Sequence, residues 1–431
     1  PNLRAQSLPQ QHKLTPADAA LGDRFAEAMS ADAGLLLIGA QGDDDRGSNA
    51  GAAYVFDLIT GLQLTRLEDQ DADAGDAFGF SVSISDALAA LGAPAANDEA
   101  GSVSLFDALS GARLHTLTPD DAESFDRFGH AVALSGNLLA VGAPGDDDRA
   151  QNAGAAYIFD ASTGAQLRKL IATDGQLEDA LGMSIAIHEN LVAVGAPFDN
   201  DNGSESGSVY LFDATTGAQL HKLTADDGAF QDLFGWSVAI DDDLVAIGAH
   251  SKDAAGVDSG AAYLFDALTG LQLDRYTPLD AQPGDWFGWS VDLEGRFLIA
   301  GARNDHVWGL SSGSASVFDI QTGQPLYRLL PNDGAEGDFF GASVAIDGGV
   351  LACGAYLDDD HGIASGSAYL YDTNYCSPAD LAFPPALLDF SDLLVFLVAF
   401  ENQEPLGDFA EPTGVFDFAD VVAFLTAFAE G

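Results

Sequence analysis

The stretch GAPGDDDRAQNAGAAYIFD, residues 142–160, sets Asp146, Asp147 and Asp148 just behind a Gly-Ala-Pro turn. Related stretches put Asp43 and Asp45, Asp199 and Asp201, and Asp358 and Asp360 in the same place. Paired carboxylates on one short loop are the raw material of a calcium site, because this hard cation takes six to eight oxygen ligands. The pattern suits a solvated acidic turn equally well, and spacing alone does not choose between the two. A second chemistry is aromatic. Trp286, the loop residues Val307, Trp308 and Leu310, and then Phe339 and Tyr356 fall on loops where large side chains either anchor a partner or pack beneath their own loop. Catalysis has little footing. The eight histidines stand at unrelated positions, no nucleophile elbow or phosphate loop occurs, and no carboxylate pair stands apart as acid and base.

These groups recur because the chain itself repeats. Aligned on a Phe-Gly step, seven copies start at Phe25, Phe78, Phe128, Leu181, Phe234, Phe287 and Phe340, spaced 53, 50, 53, 53, 53 and 53 residues apart. Two copies deviate, with Ala26 after Phe25 and Leu181 in place of the aromatic. Each copy holds four short segments, as in FGWSVAI (234–240), LVAIGA (244–249), GAAYLFD (260–266) and LQLDRY (271–276). They are rich in β-formers, bounded by Gly, Asp or Pro, and too short for helices. Four strands per repeat of about 50 residues predicts an all-β fold, a seven-bladed β-propeller of four-stranded blades. The last copy lacks its fourth segment, and QHKL (11–14) matches it, so an N-terminal strand is expected to close the ring. FDxxTG steps such as Asp57–Gly61 and Asp160–Gly164 read as tight turns in which Asp accepts backbone N–H groups.

Counting from the Phe-Gly aromatic, position −7 is Asp in every copy (Asp18, Asp71, Asp121, Asp174, Asp227, Asp280, Asp333). So is position −2 (Asp23, Asp76, Asp126, Asp179, Asp232, Asp285, Asp338). Both series read as turn caps. Hairpins alternate ends, so the loop after Gly-Ala-Pro and the blade-to-blade loop are expected on one face, where carboxylates from both can meet.

Sixteen Lys and Arg against 67 Asp and Glu give a formal charge of −51, which argues against nucleic acid or an anionic membrane as partner. The longest apolar run, Leu393 to Phe400, is too short to span a bilayer. A chain opening at Pro1 without a leader-like segment is expected to be a processed, exported form. Cys353 lies in an apolar run where a buried free thiol is ordinary. After Cys376 a new period of 28 begins: DLAFPPALLDFSDLLVFLVAF (380–400) aligns with DFAEPTGVFDFADVVAFLTAF (408–428), each a loop with acids followed by an apolar helix. Asp389 and Asp392, and likewise Asp417 and Asp420, are placed to cap those helices. The expected division is a tail over 1–10, a propeller over 11–375 and a tandem over 376–431.

Phe-Gly followed about a dozen residues later by Gly-Ala-Pro resembles the FG-GAP signature of integrin α propellers and of many bacterial exported proteins, over residues 11–372. The resemblance implies a secreted or cell-surface propeller that binds without catalysing, an adhesion module with a protein partner, other copies of itself included. Assembly into an extracellular fibre or surface layer, or anchorage with capture of a foreign protein or glycan, both fit it. Integrin propellers carry calcium loops between the Phe-Gly and Gly-Ala-Pro strands. Here that connection is as short as DDD (241–243), so that site does not carry over. The C-terminal stretch resembles a dockerin tandem of the planctomycete form opening Cys-x-x-Ala-Asp-Leu-Ala, which implies a small helical, calcium-binding docking domain. Its candidate ligands are Asp380, Asp389 and Asp392 with Asp408, Asp417 and Asp420; Ala382, Pro384, Ala410 and Pro412 stand where further ligands belong.

Overall fold

A computed structural model describes residues 6–373. The expected tandem over 376–431, with Cys376 and its six candidate aspartates, lies outside these residues.

Seven sheets follow one another along the chain, numbered here as blades by their Phe-Gly copy. Blade 3, which carries the opening stretch, pairs Ala131–Ser135, Leu138–Ala143, Ala155–Asp160 and Ala165–Leu170 in an antiparallel meander. The inner strand of each blade touches that of the next, and the seventh touches the first. Blade 7 supplies Ser343–Asp347, Val350–Ala355 and Ser367–Asp372, and Gln10–Leu14 is its outer strand, as the sequence leads one to expect. The stretch 1–10, expected to be a tail, also contributes: Gln6–Ser7 pairs in parallel with Tyr327 and Arg328 on the outer edge of blade 6. Two residues are too few to show a periodicity, so nothing in the pattern announced them.

Apolar side chains pack between blades rather than within one. Ile158 and Leu170 of blade 3 share a cluster with Ile185, Val194 and Phe212 of blade 4. The Phe of each Phe-Gly step sits at such a seam. Phe128 bridges in parallel to Gly101 of blade 2 and packs edge-on against Tyr157 and Phe159 of blade 3. Leu181 fills the corresponding place in blade 4 and is equally buried.

The two glycines of the motif meet at that seam. A Cβ on Gly142 would run into the carbonyl oxygen of Gly182 in the following blade. The same holds for Gly39, Gly92, Gly195, Gly248 and Gly301 against the carbonyl of the next Phe-Gly glycine, and for Gly354 against that of Ala26. The Gly-Ala glycine is therefore required by close approach of two backbones. Ala26, the deviant of the first copy, takes φ of 70°, a left-handed conformation its six counterparts reach as glycine.

Side-chain latches tie neighbouring inner strands at the other end of the axis. Asp32 accepts the N–H of Asp86, Ser85 that of Gly136, Ser135 that of Glu189, Asp241 that of Gly295, Glu294 that of Gly348, and Asp347 that of Gly34. These bonds join six of the seven junctions. At the seventh, between blades 4 and 5, His188 stands in the latch position and faces Asp241 and Asp242 at 4.0 and 3.5 Å. At the outer hairpins, Asp57 accepts from the N–H of Thr60 and Asp213 from that of Thr216, which bears out the turn reading.

Gly142→Ala is expected to destabilise the propeller by about 3 kcal/mol through the blade-to-blade clash. Gly136→Ala, where a Cβ meets open space at a φ of 55°, should cost about 1 kcal/mol from backbone strain alone. Denaturant titration of the two variants checks the order; equal losses would refute the close-approach account.

Candidate functional site

The acidic loops are built from the outer strands inward. In blade 3 the pairing register sets Tyr157 opposite Lys169. The Lys169 stem lies over the Tyr157 ring, with Nζ 5.2 Å from its centroid. This carries the ammonium to the loop face, where Nζ stands 2.7 Å from Asp121, 2.7 Å from Asp146 and 2.6 Å from Asp148. The three consecutive aspartates thus have separate tasks. Asp146, buried, takes the Tyr157 hydroxyl at 2.7 Å, the Asp148 N–H and the ammonium. Asp147 accepts the N–H of Asn152 and ties the loop to itself. Asp148 covers the ammonium from the solvent side.

The arrangement recurs. Lys222 is held by Asp174, Asp199 and Asp201 in blade 4, with Tyr210 donating to Asp199. Lys13, on the closing strand, is held by Asp333, Asp358 and Asp360 in blade 7, with Tyr369 donating to Asp358. In blade 1, Arg66 reaches Asp18, Asp43 and Asp45, and Tyr54 donates to Asp43. The structure therefore brings together every propeller carboxylate expected to ligate calcium, and in each of the four loops a Lys or Arg head lies among them. A cation bridging the three carboxylates would need the place this head occupies, so the residues as arranged do not fit a calcium ion.

The −7 aspartates differ from their expected role as turn caps. All seven pair with a cation: the four above, Asp71 with Arg113, Asp227 with Arg275, and Asp280 with Arg328. Their side chains point out of the turn toward the outer strand, where a positive charge offers more than a backbone amide. The −2 aspartates do cap. Asp23, Asp76, Asp126, Asp179, Asp232, Asp285 and Asp338 each accept the N–H three residues before them.

Burial raises Asp23, Asp126, Asp285 and Asp338 to about 6, against the pull of those amide bonds. Burial also works against charge on Asp121, Asp174 and Asp333, but the partner lysines more than offset it and hold these carboxyls below their ordinary value. Lys169 is likewise opposed by burial, yet its three carboxylate hydrogen bonds hold the ammonium above its usual range.

The expected partner residues split into two places. Trp286, Phe339 and Tyr356 converge on Arg303, the residue directly after the Gly-Ala of blade 6. Its guanidinium carbon lies 5.1 Å from the Trp286 ring, 5.4 Å from that of Phe339 and 3.2 Å from that of Trp289. Trp286 stacks on Trp289 at 5.6 Å, and Trp289 meets Trp236 and His250 at 4.8 Å each. Phe339 and Tyr356 are 5.9 Å apart. Most of these side chains are half-exposed; His250 is buried, and that burial lowers it to about 3, so it is neutral. Trp308 stands outside this cluster. It is 55% exposed on the blade 6 loop, with its ring against Gly334. Trp236, Trp289, His250 and Arg303 were missed by sequence reasoning. Their common signal is position: the second residue after the Phe-Gly aromatic stands at or just before the start of the regular inner-strand pairing, and the one following Gly-Ala just after the end of the next strand, at the same end of the hairpin.

Seven blades with loop-borne side chains gathered on one face define a β-propeller of the interaction type. The FG-GAP repeat profile matches residues 9–56, 62–106, 113–159, 165–212, 218–265, 272–318 and 326–371, and the chain belongs to this family. FG-GAP propellers are typically non-catalytic interaction folds. No curated protein shows significant similarity to the chain. Among solved structures, a chain of the mitotic checkpoint complex is similar at a TM-score of 0.57 and 15% identity, covering 86% of this chain and 94% of its own. The computationally designed Ika8 protein gives a TM-score of 0.48 at 16% identity, covering 86% of this chain and 99% of its own. At these identities the likeness to the checkpoint chain concerns the propeller fold alone.

The two sets of carboxyls titrate with opposite sign. Asp23, Asp126, Asp285 and Asp338 bind a proton more tightly folded than unfolded, so their contribution to stability grows as pH falls from about 6 toward 4. The ion-paired acids Asp121, Asp174 and Asp333 favour the fold above about pH 4, and that contribution is lost as pH falls through their lowered folded values. Thermal melts should therefore show the highest Tm at about pH 4–5 rather than at 7; a Tm that falls steadily from pH 7 to 5 would contradict the assignment.

Proposed function

We propose that this chain is a non-catalytic protein-interaction module that meets its partner through the aromatic–arginine cluster of blades 5 to 7. The observation that carries this reading is one-sidedness. Three of the four tryptophans, Trp236, Trp286 and Trp289, join Phe339, Tyr356 and Arg303 in one half-exposed patch. At the corresponding second-after-aromatic positions, blades 1 to 4 carry Glu27, Phe80, His130 and Met183. Trp, Tyr and Arg are the residue types that concentrate binding energy at protein interfaces, and rigid stacked rings lose little conformational freedom on binding. Trp308 and Leu310, exposed on the neighbouring loop of blade 6, extend the same side. The family resemblance supports work outside the cell, and a strongly acidic surface suits a partner carrying basic groups.

The paired variant Trp286→Ala/Arg303→Ala is expected to lose about 2 kcal/mol or more of partner binding, roughly 30-fold in affinity, while its melting temperature stays near that of the parent. Sedimentation velocity reads self-association. Comparative capture from the medium and envelope of the producing cells, with parent and variant side by side, reads a foreign partner. Loss of larger species in the variant would make the partner a second copy; loss of one captured protein would make it foreign. Unchanged behaviour in both assays would remove the cluster as the contact site.

A further inference from the structure

We propose that the acidic loops of this propeller are neutralised by cations of the chain itself in the place of a bound divalent ion, so that its blades hold together without calcium. The geometry is complete without an added ion. An ammonium has three N–H donors and no acceptor; Lys169 Nζ donates to Asp121 and Asp148 and pairs with Asp146, all at 2.6–2.7 Å. A calcium ion needs at least six oxygens at 2.3–2.6 Å, in a space where the ammonium already contacts all three carboxylates. The two cations exclude each other.

Variation among the repeats supports the same conclusion. Where the loop presents its acid pair, the outer strand supplies Lys or Arg opposite the inward Tyr, as in Tyr54–Arg66, Tyr157–Lys169 and Tyr210–Lys222. Blade 2 has lost the first loop acid, with Ala96 in its place while Asp98 is kept, and there the cross-strand pair is Ser104–Thr116. Blade 5 inverts the charge. Lys252 stands where the first loop acid would be and binds Asp232 at 2.9 Å, beside Arg275 on Asp227. In the four blades with the loop acid pair a Lys or Arg head lies among the carboxylates, and where the pair is broken, in blades 2 and 5, the −7 aspartate still meets a cation of the chain; the positive charge is supplied from within in each case.

The test uses the full chain and calcium chloride. The melting transition of the parent propeller should be the same in millimolar calcium and in chelator. Removing the ammonium should uncover a cation site: Lys169→Ala and Lys222→Ala are each expected to melt lower in chelator, to regain about 2–4 °C in millimolar calcium, and to bind one calcium more per substitution by isothermal titration. Calcium bound elsewhere in the chain appears equally in parent and variant and cancels from that difference. A parent transition raised by calcium, with the rise abolished in Asp146→Asn/Asp148→Asn, would overturn the proposal. So would folded lysine variants that bind no additional ion. The parent measurement stands on its own if the variants do not fold.

Discussion

Everything in this propeller hangs on how closely two backbones approach at each seam. The carbonyl of one Phe-Gly glycine lies where the preceding blade's Gly-Ala glycine would carry a Cβ, and this holds at the six glycine seams and, through the Ala26 carbonyl, at the seventh. Such contact fixes the distance between inner strands. It thereby sets the width of the wedge that the apolar side chains between blades must fill. The parallel bridges, the seam aromatics and the side-chain latches at the far end of the axis all require that spacing. The motif is thus a joint first and a family signature second.

Charge is organised on top of that joint. A chain with 67 acids and 16 Lys and Arg residues has few cations to place, and eight of them, Lys13, Arg66, Arg113, Lys169, Lys222, Lys252, Arg275 and Arg328, are spent on loop carboxylates. Each joins an outer strand or a face loop to the blade-to-blade loop. The outer rim is thereby secured electrostatically, where apolar packing is thinnest. Toward the axis the carboxylates act instead as acceptors: Asp32, Asp241, Asp292, Glu294 and Asp347 line the channel, each with a backbone amide of the next blade bound.

Much of this is legible in the amino-acid sequence itself. Repeat length and strand chemistry lead directly to seven four-stranded blades, and QHKL, matched to the other outer strands, identifies the closing segment. The aspartates of the loops were equally visible. Their cations were not, because Lys169 lies 21 residues after Asp148 and 48 after Asp121, and only the strand register sets it beside Tyr157. A clue is present in TRL, RKL and HKL, which recur behind three of the loops that carry acid pairs, and in the HKL of the closing strand. The aromatic cluster was half legible. Loop residues such as Trp286 and Phe339 stand out by type, whereas Trp289 and Arg303 read as ends of strands until the fold turns those ends toward one face.

The closing strand has a consequence in time. Lys13 is synthesised before its partners Asp333, Asp358 and Asp360, which come at the other end of the propeller. Until they meet, blade 7 has an open edge and three carboxylates crowded without a counter-charge. The closing segment and its partners are separated by more than 300 residues of chain. Docking adds both the missing strand and the missing positive charge, so a misplaced segment offering only one of the two would not complete the ring. Closure therefore reads two features at once, strand pairing and charge, across the two ends of the propeller.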